Sequence, residues 1–442
     1  MEVLNVCLSK ASPKRLLGAK REACPAPHPR YPPGWRIDVL DPHIVCRIGG
    51  SRFLSASNSP DRIQLTGTTG AYSVGTTEMH LIDRGRPDPW VTGKTRELMI
   101  SIWYPARQKT TSSALAPYMQ PGAAAHYEKS TLIPAGISPG AIQWEQVRTH
   151  GMLAAPVANP HGRYPVVLYS PGSGVPRTAG TIAAEELASQ GYVVVTIDHT
   201  YDASEVEFPG GRVEVQALPK LSEETIMKLM AVRELDIRFV LDQLAVLRTG
   251  GNPDAAQRPL PNGLGKAMDL SHIGIFGHSA GGAAALQTMY DDRRIDAGIL
   301  MDGTLGYLPD ALLPVAEEGL DRPLMLMGSG YYQEQGADSH VTRPDWKSLW
   351  THSTGWKLDV SAPKGMHFTF TDYPAILPQL QEKLGLPSAV VQEAIGTMEP
   401  AQAVSAQRAY VTAFFNLHLR HMSSELLENR LSKYPDIHII QD

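Results

Sequence analysis

Cysteine, long apolar runs and clusters of like charge are scarce in this 442-residue chain. The cysteines, Cys7, Cys24 and Cys46, lie near the N-terminus at spacings that match no zinc-binding pattern, so we expect neither zinc nor disulfides in the remainder. No apolar run approaches the roughly 18 residues of a transmembrane helix. The 40 basic and 45 acidic residues are well mixed, without the basic stripe of a nucleic-acid-binding protein. These absences argue against an integral membrane protein and against a nucleic-acid partner.

The first 62 residues differ in composition from the rest. They combine prolines and scattered charges with little periodicity, which predicts an irregular N-terminal extension. The basic residues near the start are not followed by the apolar segment of a signal peptide. We therefore expect a cytoplasmic protein if Met1 is the true start, and a secreted protein if the true start differs. Residues 63–442 are enough for one catalytic domain with insertions.

The most informative stretch is residues 272–286, HIGIFGHSAGGAAAL. An apolar run stops at a Gly-His-Ser-Ala-Gly-Gly turn and gives way to an alanine-rich segment of helical composition. A Gly-x-Ser-x-Gly between a strand and a helix is typical of the nucleophile elbow of α/β-hydrolases, in which a strained turn lifts the serine hydroxyl clear of the sheet. Side chains at Gly277 and Gly281 would collide with neighbouring elements. The bare motif arises by chance in long chains, but this context predicts Ser279 as the nucleophile.

Strands and helices alternate around this elbow. Residues 72–82 and 96–104 alternate in polarity and predict two antiparallel strands. Apolar runs predict buried strands at 164–170, 192–197, 297–301, 323–327 and 356–360. Periodicity predicts helices at 178–190, 222–248 and 401–421. This order predicts an α/β-hydrolase fold, with a mostly parallel central sheet and helices on both faces.

Two long segments interrupt the alternation. Residues 106–156 are rich in alanine, proline and serine, and residues 199–221 are polar and contain glycine and proline. Segments of this length without periodicity are usually functional or disordered. We expect both to be insertions that wall the pocket, the first as a loop or a set of short helices.

A serine nucleophile needs a base that accepts its proton and an acid that orients the base. In α/β-hydrolases both partners follow the serine, first the acid and then the histidine, on loops after strands. His367 follows the last predicted strand in a loop with aromatic neighbours, and we expect it to be the base. The other downstream histidines lie in a polar loop or in helices, where a packed or solvated role is commoner; they are His340, His352, His418 and His421.

Two aspartates fit the position of the acid. Asp302 directly ends the predicted strand 297–301, and Asp338 lies in the loop after the following strand. An aspartate at the end of a strand is also a common structural feature of turns. Order along the chain leaves the two alternatives open.

Six motifs from residue 63 onwards are characteristic when taken together: IWYP at 102–105, YSPGSG at 169–174, LASQGYVV at 187–194 leading to Asp198-His199, GHSAGG at 277–282, MDG at 301–303 and GMH at 365–367. Together they resemble the platelet-activating factor acetylhydrolase family of serine lipases and esterases, and more distantly the bacterial polyester hydrolases. The resemblance implies an acyl-enzyme mechanism on carboxylic esters. It also implies that the acid ends the strand after the nucleophile helix, which favours Asp302.

Ester cleavage passes through an oxyanion that two amide donors must stabilise. One expected donor is the backbone amide of Ala280 at the start of the elbow helix, where the helix dipole adds positive potential. The resemblance implies the Ser173 amide of Pro-Gly-Ser-Gly as the second. Pro171, Ala280 and Gly303 stand where mammalian members carry histidine, phenylalanine and a bulkier residue. The resemblance therefore implies the reaction type rather than a phospholipid substrate.

The sequence thus predicts a serine carboxylic ester hydrolase for short-acyl or lipid-like esters, with Ser279, His367 and Asp302 as its triad. It implies no metal and no organic cofactor, and it does not indicate an oligomeric state. Two alternatives stay open. One is an amidase or deacetylase of a small metabolite with the same triad, and the other is a non-catalytic binding protein of hydrolase type.

One polar cluster offers a competing site. Asp198, His199 and Asp202 have the residue types of a metal or proton-transfer site. They precede the nucleophile and follow a buried strand, where polar residues are expected. We therefore expect a structural role for them.

Overall fold

The structure of the protein is a computed structural model, and it describes residues 62–108, 114–132, 137–308, 311–330, 337–428 and 433–441. The predicted N-terminal extension lies outside the described residues apart from Arg62, and all three cysteines lie outside them. Among the described helices, none is long and apolar enough to cross a membrane.

An eleven-stranded sheet runs through the described part of the chain. In chain order the strands are β1 (Ser73–Pro87), β2 (Thr95–Ala106), β3 (Leu115–Pro117), β4 (Arg148–Leu153), β5 (Tyr164–Ser170), β6 (Val193–Asp198), β7 (Glu205–Phe208), β8 (Arg212–Val215), β9 (Met268–His278), β10 (Ala297–Met301), β11 (Gly306–Leu308), β12 (Ala311–Leu312), β13 (Leu324–Ser329), β14 (Lys357–Ala362) and β15 (His438–Ile439). The order in the sheet is β15-β14-β13-β10-β9-β5-β6-β2-β1-β4-β3, and β7–β8 and β11–β12 form separate hairpins.

The pairing directions match the prediction for an α/β fold. The strands β6, β5, β9, β10, β13 and β14 are parallel neighbours. The strands β1 and β2 pair antiparallel with each other, and β2 pairs antiparallel with β6. The parallel arrangement brings the carboxyl ends of β10, β13 and β14 to one edge of the sheet, which is where ligands bind in such folds.

The helices, in chain order, are α1 (Pro121–Tyr127), α2 (Thr181–Ser189), α3 (Glu223–Arg248), α4 (Leu264–Ala267), α5 (Ala280–Asp291), α6 (Pro314–Glu318), α7 (Pro344–His352), α8 (Tyr373–Leu384), α9 (Ser388–Ile395) and α10 (Pro400–Arg420). Short helical turns occur at Glu128–Leu132, Trp144–Gln146, Arg177–Gly180 and His367–Phe370. The helix α3 begins where the sequence predicts, because the hydroxyl of Ser222 accepts a hydrogen bond from the Thr225 amide at 3.1 Å. The sequence did not predict α8, whose interior Pro378 interrupts the helical pattern.

Helices cover both faces of the sheet, as predicted. The helices α3 and α5 pack on side chains such as Leu168 and Ile275, and α2 and α10 pack on Tyr169 and Phe276 from the other face. Successive residues of β5 and β9 therefore pack into the apolar cores on opposite faces of the sheet. Because both faces are buried, these strands appear as continuous apolar runs in the sequence.

The first predicted insertion, residues 106–156, holds more regular structure than the predicted loop or short helices. Besides α1 it contributes β3 and β4, which extend the sheet beyond β1. The sequence missed both strands because three and six residues at a sheet edge are too short for a period of two to be visible.

The second predicted insertion, residues 199–221, contains the hairpin β7–β8 and contacts the first. The carboxylate of Glu207 accepts from the Ala123 amide at 2.8 Å, and Glu205 bonds His126 Nδ1 at 2.9 Å. The two segments therefore pack against each other.

Candidate active site

The turn around Ser279 has the strained geometry that the motif predicts. The strand β9 ends at His278 and α5 begins at Ala280, with Ser279 between them at φ 54° and ψ −128°. A residue other than glycine rarely adopts a positive φ, and such strain concentrates at functional sites. The Ser279 amide donates to the Met301 carbonyl at 2.8 Å, which ties the turn to the neighbouring strand β10.

The two motif glycines are needed for close backbone contacts. A Cβ added to Gly277 would lie 2.4 Å from the Gly281 carbonyl carbon, and one added to Gly281 would lie 2.0 Å from the Ser170 oxygen. Both distances are shorter than any real Cβ contact, and the obstructing atoms are backbone. Glycine at these positions lets strand and helix approach closely enough to form the turn.

The structure brings the three predicted triad residues together. His367, which begins a helical turn after β14, places Nε2 3.0 Å from Ser279 Oγ. Its Nδ1 lies 2.7 Å from Asp302 Oδ2, and Asp302 Oδ1 accepts from the Ser329 amide at 2.8 Å. Asp302 directly follows β10 with φ 50°, a second strained position in the site. The result is a continuous hydrogen-bonded chain from carboxylate to imidazole to hydroxyl.

The electrostatics of Asp302 suit a carboxylate that orients an imidazole. Burial acts to raise the pKa of Asp302, but the hydrogen bond from His367, and the positive charge that this imidazole carries when it is protonated, outweigh it and hold that pKa below its usual value. The side chain therefore stays ionised at neutral pH. A buried ionised carboxylate fixes the tautomer of the imidazole and stabilises the cation that forms when the imidazole takes a proton.

The alternative acid, Asp338, occupies a different environment. It follows β13, and its carboxylate lies 3.3 Å from Nη1 of Arg343. Burial and the negative charge of Asp302 raise the pKa of Asp338 to about 8, despite the opposing charge of Arg343. The carboxylate that bonds His367 is therefore that of Asp302, whereas burial and the charge of Asp302 favour the neutral form of Asp338.

His278 also belongs to the site, although the sequence pattern did not predict a role for it. Its Nε2 donates to the backbone carbonyl of His367 at 2.6 Å, and the two rings lie 4.6 Å apart. Burial and the charge of His367 lower the pKa of His278 to about 3, so His278 stays neutral and acts as a donor. The pattern Gly-x-Ser-x-Gly accepts any residue before the serine, so the motif contained no signal for this role.

The two predicted oxyanion donors belong to backbone segments next to Ser279: Ala280 directly follows it, and Ser173 lies in a loop that packs against it. Within the described residues, the backbone amides of Ser173 and Ala280 have no hydrogen-bond acceptor, as expected at a helix start for Ala280. The loop that contains Ser173 packs against the elbow, because a Cβ added to Gly172 would lie 3.4 Å from Ser279 Cβ. The two amides are therefore available to a substrate oxygen.

The polar cluster after β6 has structural partners. Asp198 pairs with Arg177, and His199 bonds Ser170 Oγ at 2.9 Å and Asp236 at 3.0 Å. Asp202 pairs with Arg233 at 2.6 Å. Across the described ranges, no three His, Cys, Asp or Glu side chains are placed to hold a metal ion. The sequence could not identify Arg233 and Asp236, because both lie on α3 about 30 residues beyond the cluster.

The other downstream histidines have the packed or solvated roles that the sequence suggested: His340 and His418 are packed, whereas His352 and His421 are exposed. His340 bonds Asp359 at 2.7 Å and stacks on Trp350 at a ring distance of 3.9 Å. His418 packs against Trp356 and Phe414 on the face of α10. Neither ring reaches the elbow.

Comparison with known proteins identifies the family. The sequence model described as platelet-activating factor acetylhydrolase, isoform II, matches residues 57–428. The chain belongs to this family. A probable 1-alkyl-2-acetylglycerophosphocholine esterase of Arthroderma benhamiae is 29% identical over 412 residues, which cover 89% of this chain and 97% of that protein. The platelet-activating factor acetylhydrolase of Cavia porcellus is 28% identical over 200 residues, which cover 39% of this chain and 41% of that protein.

A solved structure supports the same assignment. A ferulic acid esterase from Streptomyces cinnamoneus is 32% identical, with a TM-score of 0.67 over 86% of this chain and 99% of that chain. The α/β-hydrolase fold and the family resemblance predicted from the motifs are thereby confirmed. This member of the platelet-activating factor acetylhydrolase family is a serine-dependent carboxylic ester hydrolase.

Proposed function

We propose that the enzyme cleaves short-acyl or lipid-like esters through an acyl-enzyme on Ser279, with His367 as base and Asp302 as its orienting acid. One observation carries the proposal. The chain from Asp302 Oδ2 through both nitrogens of His367 to Ser279 Oγ has links of 2.7 and 3.0 Å, within the range of proton transfer.

The reaction follows from this geometry in two halves. Ser279 Oγ attacks the ester carbonyl while His367 Nε2 takes its proton, and the Ser173 and Ala280 amides hold the oxyanion. Collapse of the intermediate breaks the ester bond, and His367 returns the proton to the leaving alcohol. Water then attacks the acyl-enzyme with His367 again as base, which releases the acid and regenerates Ser279.

The names of relatives and the surroundings of the base support this substrate class. One relative is named as an esterase of an acetylated glycerophosphocholine and another as a ferulic acid esterase, so an acyl group of modest size is common to both. Next to His367, Phe368 packs on Tyr373 at a ring distance of 5.1 Å. Both rings contact an apolar cluster to which the first insertion contributes Tyr127 and Trp144.

These contacts support a pocket wall formed by the insertions. The segment 106–156 supplies the aromatic residues of the buried cluster beside Phe368, and the hairpin of segment 199–221 bonds that segment through Glu205 and Glu207. An apolar wall next to the base favours an ester with an apolar acyl or alcohol part over a small charged metabolite.

A substrate panel with Ser279→Ala tests the proposal. We expect hydrolysis of p-nitrophenyl acetate and butyrate, slower hydrolysis of longer esters, and no turnover of matched acetanilides. The substitution should lower kcat by roughly 10⁴- to 10⁶-fold, and it should abolish labelling by a fluorophosphonate probe. Ser271→Ala, the same change on the exposed part of β9, is the matched control and should leave both readouts unchanged.

Three results would contradict the proposal. Turnover of the acetanilide without turnover of the ester would assign the chain to amide hydrolysis. A native protein that the probe does not label, or a Ser279→Ala variant that keeps its activity, would mean that another group is the nucleophile.

A further inference from the structure

We infer that Arg233, held by Asp202, positions the oxyanion hole. The inference rests on the proposed function, because it concerns the Ser173 amide that the proposal assigns to the oxyanion. Arg233 lies on α3, far along the chain from the loop, and it touches neither the nucleophile nor the base. It is a positioning residue rather than a catalytic one.

The first observation is that Arg233 binds the backbone of the loop. Its Nη1 donates to the Pro171 carbonyl at 2.6 Å, and its Nη2 donates to the Gly172 carbonyl at 3.1 Å. The guanidinium is only 1% exposed, so both hydrogen bonds are shielded from water. A single planar side chain therefore sets the direction of two successive carbonyl groups.

The direction of these carbonyls determines the direction of the amides. In a trans peptide unit the C=O and the following N–H point to opposite sides. The Gly172 carbonyl belongs to the unit that carries the Ser173 N–H, so a carbonyl turned toward Arg233 turns the Ser173 N–H away from it. That amide has no acceptor among the described residues, and the loop lies against Ser279. The donor therefore faces the nucleophile side of the loop.

The second observation is that Asp202 holds both the arginine and the loop. Its Oδ2 lies 2.6 Å from Arg233 Nε and from Nη2. Its Oδ1 accepts from the Ser173 hydroxyl at 2.6 Å and from the Gly174 amide at 3.3 Å. One buried carboxylate thus fixes the guanidinium and the two residues on either side of the Ser173 carbonyl. Such redundancy holds a donor in place before the oxyanion forms, which is what electrostatic catalysis requires.

The third observation concerns the start of the loop. Ser170 Oγ lies 2.9 Å from His199 Nε2, and His199 Nδ1 lies 3.0 Å from Asp236. The three residues of this second Ser-His-Asp hydrogen-bonded series are each at most 1% exposed, so no substrate reaches them. Arg233 Nη1 also contacts Ser170 Oγ at 3.3 Å. The buried series anchors the end of β5, from which the loop departs.

Arginine and lysine differ in what they can bond here. A lysine keeps the positive charge and the pairing with Asp202, but its single ammonium cannot span two carbonyls and a carboxylate in one plane. One carbonyl of the loop would lose its donor, and the peptide unit would be free to rotate. A displacement of about 1 Å in a catalytic group, or the loss of one oxyanion donor, costs roughly 100-fold or more in rate.

The substitution Arg233→Lys tests the inference, and the same substitution at Arg322 is its matched control. Arg322 also binds three backbone carbonyls, those of Met289, Asp292 and Ile295, but at the end of α5 far from Ser279. For Arg233→Lys we expect kcat on p-nitrophenyl acetate to fall by about 100-fold with KM changed by less than about 3-fold. Affinity for an aryl trifluoromethyl ketone, which forms a tetrahedral adduct, should fall in parallel by about 100-fold. Arg322→Lys should change each quantity by less than about 3-fold.

The other possible outcomes of these measurements either support the inference or overturn it. Loss of kcat without loss of ketone affinity, or an effect no larger than that of Arg322→Lys, overturns the inference. If Arg233→Lys does not fold, the isosteric Asp202→Asn decides in its place: a parallel loss of kcat and ketone affinity supports the inference, and unchanged values overturn it. Retained activity in Ser279→Ala contradicts the proposed function itself, and it is read from a separate variant.

Discussion

Replacing Asp302 by asparagine tests the hydrogen-bonded chain where it is most deeply buried. The two carboxylate oxygens accept from two N–H donors, His367 Nδ1 at 2.7 Å and the Ser329 amide at 2.8 Å. Asparagine offers one acceptor oxygen and one NH₂ donor, so it can satisfy only one of these donors. The substitution therefore keeps the shape of the side chain but replaces one of its two hydrogen-bond acceptors with a donor.

The structure indicates which arrangement asparagine would adopt. If its oxygen turned to His367, the buried Ser329 amide would face the NH₂ group, at a cost of about 1–3 kcal/mol. If its oxygen stays on Ser329, the NH₂ group donates to His367 Nδ1, and the ring proton moves to Nε2. That nitrogen then donates to Ser279 Oγ instead of accepting its proton. We expect kcat to fall by about 10⁴-fold, which corresponds to about 5.4 kcal/mol.

Initial rates on p-nitrophenyl acetate at pH 7, with fluorophosphonate labelling and thermal denaturation, measure this effect. Asp338→Asn is the matched control, because it makes the same change in the neighbouring loop. Asp338, with its pKa near 8, is already neutral at pH 7, so its replacement should change kcat by less than about 3-fold. The reasoning fails if Asp302→Asn keeps more than about a tenth of the activity while Asp338→Asn loses it.

Two further predictions concern stability. Asp338→Asn should stabilise the fold increasingly between about pH 4 and about pH 8, because the folded pKa is about 8 against 3.8 in the unfolded chain. In that range the wild type must take up a proton to fold, which costs up to about 1.4 kcal/mol per pH unit. Urea titrations at several pH values measure the difference in free energy of unfolding between the variant and the wild type. A difference that does not change with pH would contradict this prediction. Gly281→Ala should cost about 3 kcal/mol or more and prevent fluorophosphonate labelling, because its Cβ would lie 2.0 Å from the Ser170 oxygen. Gly85→Ala, with its nearest atom 3.7 Å away, is the control and should keep the wild-type melting temperature.

Local rules were sufficient where a feature depends on neighbours in the chain. The elbow needs only a buried strand, two glycines and a helix within 15 residues, and all of these are visible in residues 272–286. The cap of α3 at Ser222 is local in the same sense. The central strands were predictable because both of their faces are buried, so each appears as an uninterrupted apolar run.

Edge elements were less predictable for the opposite reason. The strands β3 and β4 have few residues and partly exposed side chains, so neither length nor periodicity distinguishes them from a loop. The position of β4 follows from its pairing with β1, a contact between segments more than 70 residues apart, and β3 in turn pairs with β4. Such pairings depend on the order of strands in the sheet, which short-range patterns do not contain.

The chemistry was predictable from residue types and local patterns: a serine on a strained turn, a histidine in the loop after the strand that became β14, and their family. Tertiary structure decided which carboxylate bonds the imidazole. In the sheet, β13 is the neighbour of β14, the strand that His367 follows. Asp338, in the loop after β13, nevertheless bonds Arg343. The carboxylate that bonds His367 is that of Asp302, which follows β10 and lies 65 residues earlier in the chain. Tertiary structure also decided that Arg233, 62 residues beyond Pro171, turns the oxyanion loop. Residue types and turns are set by short-range sterics and periodicity, whereas partners between loops are set by how the sheet assembles.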